Sequence, residues 1–196
     1  IERLSLAGFF QGEIIQANVN WHHAYTEKLR QSYIIQAGVN NPNVKSMQLD
    51  EATMGSLIRS AVSHEIGHAI GLSNNYGSSS SVPVDSLRSA SYLRKHGITP
   101  SVMDNSRYNY VAQPEDKIPA DLLVSRVGEY DKWAIEFGYR ILPTQTMEEE
   151  QLALMKLTSK RLAANSRLWF GDGELFPVDP RNQEDDLGDD ATRASR

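Results

Sequence analysis

Apolar residues recur at helical spacing over residues 50–72, and this is the clearest regular pattern in the chain. Eight of them fall three or four positions apart, which is the period of a helix with one face packed against the protein. Asp50 can cap the first turn, and Gly71 stands where a helix commonly ends. The pattern predicts a helix over about 50–72, most of it buried through Met54, Leu57, Ile58, Ala61, Val62, Ile66, Ala69 and Ile70.

A shorter stretch alternates with a period of two. Ile15, Ala17, Val19 and Trp21 fall on one side, and polar residues fall between them. Alternation of this kind is typical of a half-buried strand. It is the one strand that the sequence identifies.

Helical patterns cover much of the remaining chain. They predict helices over about 23–37, 85–96, 127–139 and 146–164. The last begins at Thr146, which forms a T-x-x-E capping box with Glu149. Several helices and one strand predict a helix-rich α+β fold.

The length and composition of the chain exclude several kinds of site. A chain of 196 residues is long enough for one domain with its own core. The absence of cysteine excludes disulfides, thiolate metal sites and thiol nucleophiles, so any metal must be held by the 5 histidines or by oxygen atoms. No apolar run approaches the length of a membrane span.

Charge is uneven along the chain. The net charge is −5, and residues 146–196 hold 11 acidic and 7 basic residues, so the rest is nearly neutral. The absence of a basic stripe argues against nucleic acid as a partner.

Because the chain begins at Ile1 rather than at a methionine, we expect it to be a piece of a longer protein.

The predicted long helix contains His64-Glu65-Ile66-Gly67-His68, an H-E-x-x-H motif. Residues four apart share one helix face, so both imidazoles can reach one cation. Zinc suits such ligands, and Glu65 would act as general base towards a zinc-activated water and then as general acid. The alternative is a pair of structural core histidines, which is disfavoured because two histidines and a glutamate are costly to bury unpaired.

The residues that follow extend the motif. Gly71 and Asn74 complete the spacing H-E-x-x-H-x-x-G-x-x-ligand, in which the glycine turns the chain so that a third side chain can return to the metal. Ser101-Val102-Met103-Asp104 resembles the Met-turn of metzincin metalloproteases, in which a methionine lies beneath the metal.

Longer segments carry a closer resemblance. Residues 62–114, which include Thr99-Pro100-Ser101-Val102-Met103-Asp104, resemble large bacterial zinc-dependent metalloproteases common in Bacteroidetes, and the similarity continues through 128–135 and 185–190. The resemblance implies a metzincin-like α+β domain with a small mixed sheet, a Zn2+ cofactor, a peptide or protein substrate, and a secreted or cell-envelope location. We expect a catalytic core over 1–145 and a helical, acidic extension of the same domain over 146–196.

This sequence departs from the family at two positions. The third metal ligand of the family is a histidine, here Asn74, and the residue after Met103-Asp104 is usually a tyrosine, here Asn105. An amide oxygen is a poor zinc ligand. Three interpretations follow: Asn74 or water fills the third position; another side chain substitutes; or the site is degenerate and binds peptides without cleaving them. The possible substitutes are His22, His23, His96, Asp85 and Asp104.

The sequence therefore predicts a zinc-dependent endopeptidase with His64, His68 and Asn74 as metal ligands, Glu65 as the catalytic residue and Met103 beneath the metal. The alternative is a catalytically impaired peptide-binding module. Two weaker signals favour structural roles. The acidic cluster Asp185–Asp190 does not fit an EF-hand and is interpreted as a solvated loop, and Tyr108 and Tyr110 are expected to pack rather than to act in catalysis.

Overall fold

The computed structural model describes residues 2–7, 14–42, 44, 47–172 and 178–195. Two strands come first, β1 (Glu2–Ala7) and β2 (Ile14–Asn20). The helices of the described chain are α1 (His23–Ala37), α2 (Glu51–Ala69), α3 (Ala90–His96), α4 (Glu129–Tyr139), α5 (Met147–Ala164) and α6 (Ala191–Ala194). The helix-rich α+β class is confirmed.

The sheet is a single antiparallel pair in the part of the chain that is described. β1 and β2 run from the pairing Glu2↔Asn20 to Ala7↔Ile14, with an irregularity between Leu6 and Ala7. The predicted strand is therefore present, but the sheet is antiparallel rather than mixed. Its predicted burial is wrong at Ile15, which is 65% exposed. None of the residues of β2 is buried.

The two long N-terminal helices follow their sequence signals closely. α1 has the predicted bounds, and Gly38 follows its last residue. α2 starts at the predicted cap, where the Asp50 carboxylate accepts a hydrogen bond from the backbone N–H of Thr53 at 2.8 Å. α1 and α2 pack against each other, and α2 also contacts both strands and the 3-10 turn Val102–Asp104.

The predicted burial of α2 is wrong towards its C-terminal end. Ile66 is 48% exposed and Ile70 is 37% exposed. These two residues lie four apart on one face, and Ile70 lines an open apolar groove rather than the core. The buried face of α2 is instead marked by Thr53, Leu57 and Gly67.

The hydrophobic core lies between α1, α2, α3 and the loops that follow them. Tyr33 of α1 is fully buried, and its ring meets Tyr108 edge-on at 5.3 Å between centroids. Other fully buried apolar residues come from the loops and short turns, among them Leu87, Ile98, Leu123 and Leu187. α5 buries none of its residues.

The C-terminal part of the chain returns to this core. α5 begins at Thr146, whose hydroxyl accepts from the backbone N–H of Glu149 at 3.2 Å, as predicted. The acidic segment is less solvated than predicted, because Leu187 is buried and the carboxylate of Asp189 accepts from the backbone N–H of Val84 at 3.0 Å. No helix in the described residues has both the length and the apolar character needed to cross a bilayer.

Candidate metal centre

His64 and His68 project from one face of α2 and meet edge-on. Their ring centroids lie 4.6 Å apart, and their Nε2 atoms lie 3.0 Å apart. Each outer nitrogen contacts a backbone carbonyl, Nδ1 of His64 with Val102 O at 2.9 Å and Nδ1 of His68 with Leu72 O at 2.9 Å. Both Nε2 atoms therefore face the same point.

Two neutral histidines carry too few ring hydrogens to make all three of these contacts hydrogen bonds. Each of the three contacts needs one hydrogen, but two neutral imidazoles carry only two. With both Nδ1 hydrogens donated to carbonyls, the Nε2 atoms direct two lone pairs at each other. A proton or a metal ion between the rings would satisfy two lone pairs arranged in this way.

The donor set fits zinc. Zinc-binding histidines commonly donate the other ring N–H to a carbonyl, and Nδ1 of each histidine lies at hydrogen-bond distance from one here. Tetrahedral bonds of 2.0–2.1 Å place two zinc-bound nitrogens about 3.3 Å apart. The 3.0 Å between the Nε2 atoms of His64 and His68 is within a few tenths of an ångström of that spacing.

The turn after α2 holds His68 in place. Gly71 has φ +91°, the left-handed conformation that favours glycine, as the motif predicts. Its N–H donates to His68 O at 2.9 Å and the N–H of Leu72 donates to Gly67 O at 2.9 Å, which is a Schellman motif. The same turn presents the Leu72 carbonyl to the His68 ring.

Met103 packs against Gly67, the residue before His68, and its position beneath a metal stays a prediction. It is fully buried, and its thioether packs against Gly67, where a β-carbon would collide with Sδ. Gly67 thus has a steric reason to be a glycine inside a helix, because any side chain there would displace Met103.

Asp131 of α4 fixes the Met-turn from the other side. Its buried carboxylate accepts from Ser101 Oγ at 2.5 Å, from the N–H of Val102 at 2.9 Å and from the N–H of Gly128 at 2.7 Å. Because the Val102 carbonyl contacts Nδ1 of His64, Asp131 is linked to that histidine through a single residue, Val102. Sequence reasoning missed this role, since it depends on a contact 29 residues apart in the chain.

Asn74 lies buried in the segment beside the Met-turn. Its amide donates to Tyr76 Oη at 3.1 Å, and the N–H of Asn75 donates to Met103 O at 2.9 Å. Among the described residues no group of three or more His, Cys, Asp or Glu could hold a metal ion. The assignment of Asn74 as third ligand stays a prediction.

The residues considered as substitutes for the third ligand contact other side chains or lie exposed at the start of α1. His96 stacks on Tyr92 at 4.7 Å between centroids, and burial lowers the pKa of its imidazole. Asp85 pairs with Arg193 at 2.5 Å, and Asp104 accepts from Thr99 at 2.6 Å. His22 and His23 are exposed at the start of α1. None of these residues joins the histidine pair in a three-residue group within the described chain.

Glu65 lines a cavity of about 210 Å³ together with His64. Tyr25 of α1 and Arg107 also line it. Burial raises the pKa of the Tyr25 hydroxyl, Arg107 opposes that rise and the charge of Glu65 adds to it, so Tyr25 remains a hydrogen-bond donor. Tyr25 and Arg107 carried no sequence signal, because they reach the site from a different helix and from a loop.

The two tyrosines after the Met-turn, Tyr108 and Tyr110, form hydrogen bonds with backbone groups. The Tyr108 hydroxyl donates to Leu29 O at 3.2 Å, and the Tyr110 hydroxyl accepts from the N–H of Leu187 at 3.0 Å. These contacts confirm the packing role predicted for both tyrosines. Asn105, at the family's tyrosine position, adopts φ +62° and donates to Glu184.

An open apolar groove of about 1150 Å³ runs from the turn after α2 to α4 and α5. Gly71, Leu72 and Ser73 form its end nearest the histidines. Aromatic residues dominate the rest of its lining, namely Tyr130, Trp133, Phe137, Tyr139, Trp169 and Phe170.

Comparison with known proteins agrees with this geometry. The family model for Met-zincin proteins matches residues 46–196, which include α2, the turn at Gly71 and the Met-turn. No curated protein and no solved structure matches the chain. The matched range covers well over half of the sequence, so the chain belongs to the Met-zincin family and is a metzincin-like domain of the zinc metalloprotease type.

Proposed function

We propose that this domain is a zinc-dependent endopeptidase in which His64 and His68 hold the metal. One observation carries the proposal: the Nε2 atoms of the two histidines lie 3.0 Å apart while both Nδ1 atoms contact backbone carbonyls. That arrangement suits a metal ion between the rings, and the family supplies the expectation that the metal is zinc.

A zinc ion bound there would polarise a peptide carbonyl and acidify a water molecule. Glu65 would take the proton of that water and deliver it to the leaving amine, and its place in the lining of the same cavity as His64 supports this role. The Tyr25 hydroxyl and the Arg107 guanidinium border the same space and can donate to the oxygen on which negative charge develops.

Two features favour a peptide as the substrate. β2 pairs with β1 along one edge, and no other described strand pairs with it, so an extended peptide could add to the other edge. The apolar groove next to Leu72 suits a large apolar side chain of such a peptide. The secreted or envelope location implied by the resemblance remains a prediction.

A second candidate function is peptide binding without cleavage. The observation that favours it is the third position, where Asn74 stands and where no described His, Asp or Glu completes a three-residue metal group. A water molecule can complete a zinc shell, but two protein nitrogens bind zinc more weakly than three. The two functions share a site and differ in turnover.

Cleavage by a Glu65→Gln variant separates these functions. We expect the zinc-loaded wild type to cleave an unstructured protein such as casein, and Glu65→Gln to lose more than about 100-fold of that activity while retaining zinc. Glu51→Gln, a change of the same kind at an exposed position of the same helix, is the control and should retain activity. Equal activity in wild type and Glu65→Gln would contradict the proposed mechanism, and peptide binding with no turnover in the wild type would favour the second function.

A further inference from the structure

A second group of oxygen atoms lies where the Met-turn meets the acidic C-terminal segment. Asp104 ends the 3-10 turn Val102–Asp104 and is fully buried. Its Oδ2 accepts from Thr99 Oγ1 at 2.6 Å. Its Oδ1 has no hydrogen-bond partner within the described residues. A buried carboxylate oxygen without a partner is costly, so its presence calls for an explanation.

A second carboxylate approaches the same place. Ser79 donates from its hydroxyl to Asp186 Oδ1 at 2.9 Å, and its hydroxyl and backbone N–H also act on the Asp104 carboxyl as hydrogen-bond donors that lower its pKa. Asp186 is half-buried, and its negative charge acts on Asp104. Two acidic side chains thus share one serine, and no arginine or lysine pairs with either of them in the described chain.

Two further hydroxyls come from residues close to Ser79 and Asp104 in the sequence. Ser78 Oγ and Ser106 Oγ are buried and have no hydrogen-bond partner among the described residues. Ser78 adjoins Ser79, and Ser106 follows Asp104 by two positions. Residues 78 and 104–106 therefore contain three buried oxygen atoms that have no hydrogen-bond partner in the described residues, and one of them belongs to a carboxylate.

Protonation of Asp104 does not resolve this arrangement. Burial raises the pKa of Asp104 well above its usual range, and the charge of Asp186 raises it further. A proton on the carboxyl removes its charge but leaves Oδ1 without a partner. A cation supplies both a countercharge and a ligand contact, and hard cations bind carboxylate, hydroxyl, carbonyl and water oxygens.

We propose that Asp104 and Asp186 bind a calcium ion that ties the acidic segment to the Met-turn. Calcium accepts six to eight oxygen ligands in irregular geometry, so two carboxylates can be completed by serine hydroxyls and by water on the exposed side of Asp186. A site with two carboxylates matches the weak class of calcium sites, with Kd of about 10⁻⁴–10⁻³ M.

The residues before Asp186 contact residues that line the cavity containing Glu65. Asp185 pairs with Arg107 at 3.1 Å, and Glu184 accepts from Asn105. Arg107 and Asn105 both line the cavity that contains Glu65. Calcium at Asp186 would therefore hold the neighbouring residues that position one side of this cavity. The calcium site itself requires neither zinc nor peptidase activity.

Calcium titration of the whole chain tests the proposal. We expect isothermal titration to give about one Ca²⁺ per chain, and the melting temperature to rise by about 5 °C or more at 100-fold excess over Kd. Asp186→Asn and Asp104→Asn should each weaken binding at least about tenfold. Asp190→Asn is the matched control, because it removes one charge from the same segment while asparagine still caps α6.

Folding does not confound this test. Asp186 is half-buried and Asp104→Asn removes a buried charge, so both variants should melt no lower than the wild type in calcium-free buffer. Absence of calcium binding by the wild type up to 10 mM would overturn the proposal. So would calcium binding that persists unchanged in both aspartate variants, or that is lost equally in Asp190→Asn.

Discussion

Sδ of Met103 lies closer to the position of a β-carbon on Gly67 than two non-bonded atoms can approach. Met103 is fully buried, so its side chain cannot swing aside into solvent. The close approach sets the distance between α2 and the Met-turn at Gly67, the residue before His68. It also links two motifs that lie 36 residues apart in the chain.

Substitution of Gly67 by alanine should therefore destabilise the protein. We expect a loss of about 1–3 kcal/mol in the free energy of unfolding, because the added methyl group overpacks the contact with Met103. Gly55→Ala is the matched control, since no atom lies within 4 Å of its β-carbon position in the same helix. That variant should gain about 1 kcal/mol. Denaturant unfolding measures both, and a stabilised Gly67→Ala variant would contradict the contact.

Asp131 offers a test of how the Met-turn holds His64. Asp131→Asn replaces one of the two oxygens that accept from Ser101, Val102 and Gly128 with an amide group that cannot accept. We expect a loss of about 1–3 kcal/mol in stability. Zinc affinity should fall about 10–100-fold, because the Val102 carbonyl would no longer be fixed against His64.

Asp121→Asn, an exposed acidic position, controls for the change in charge. Zinc affinity is measured by competition with a chromophoric chelator. Affinity equal to that of the wild type in a folded Asp131→Asn variant would show that the Met-turn positions His64 without this carboxylate.

The long helices were predictable because their determinants are local. Side-chain caps such as Asp50 and Thr146 act within four residues of the helix start, and the H-E-x-x-H spacing alone places two imidazoles on one face. The turn at Gly71 was predictable for the same reason, since the left-handed conformation favours glycine.

The parts that sequence reasoning missed depend on contacts between distant segments. Ile66 and Ile70 fit a buried helical pattern, yet both are exposed, and Ile70 lines an apolar groove. A pattern cannot show which apolar face of a helix meets the core. Tyr25 and Asp131 join the site from α1 and α4, and nothing in their local sequence indicates that they do. The orienting groups of both histidines are backbone carbonyls, which every residue has.

Asn74→His tests whether position 74 faces the metal. If it does, restoring a third imidazole should raise zinc affinity by more than about tenfold. Ser73→His is the control, because it adds the same side chain at the preceding, exposed position. An equal gain in both variants, or no gain in either, would place Asn74 outside the zinc shell.

Stability in calcium-free buffer should depend on pH through Asp104. Its raised pKa means that folding disfavours the charged carboxylate, so its contribution is fully present below about pH 4 and is lost as the pH rises through the raised value. Asp104→Asn removes this dependence. With EGTA present, the variant should melt higher than the wild type at pH 8 and equally at pH 4. A wild type that melts higher at pH 8 would indicate that a described partner already stabilises the charge.

The central claim is that His64 and His68 hold one zinc ion, and metal content tests it most directly. The chain is loaded with zinc, freed of excess metal by gel filtration and measured by mass spectrometry, with His22→Ala as a control at an exposed histidine. The account predicts about one zinc per chain in the wild type and in His22→Ala, and less than about a tenth in His64→Ala and in His68→Ala. A wild type that holds less than about a tenth of an equivalent after loading, or histidine variants that keep their zinc, would contradict it.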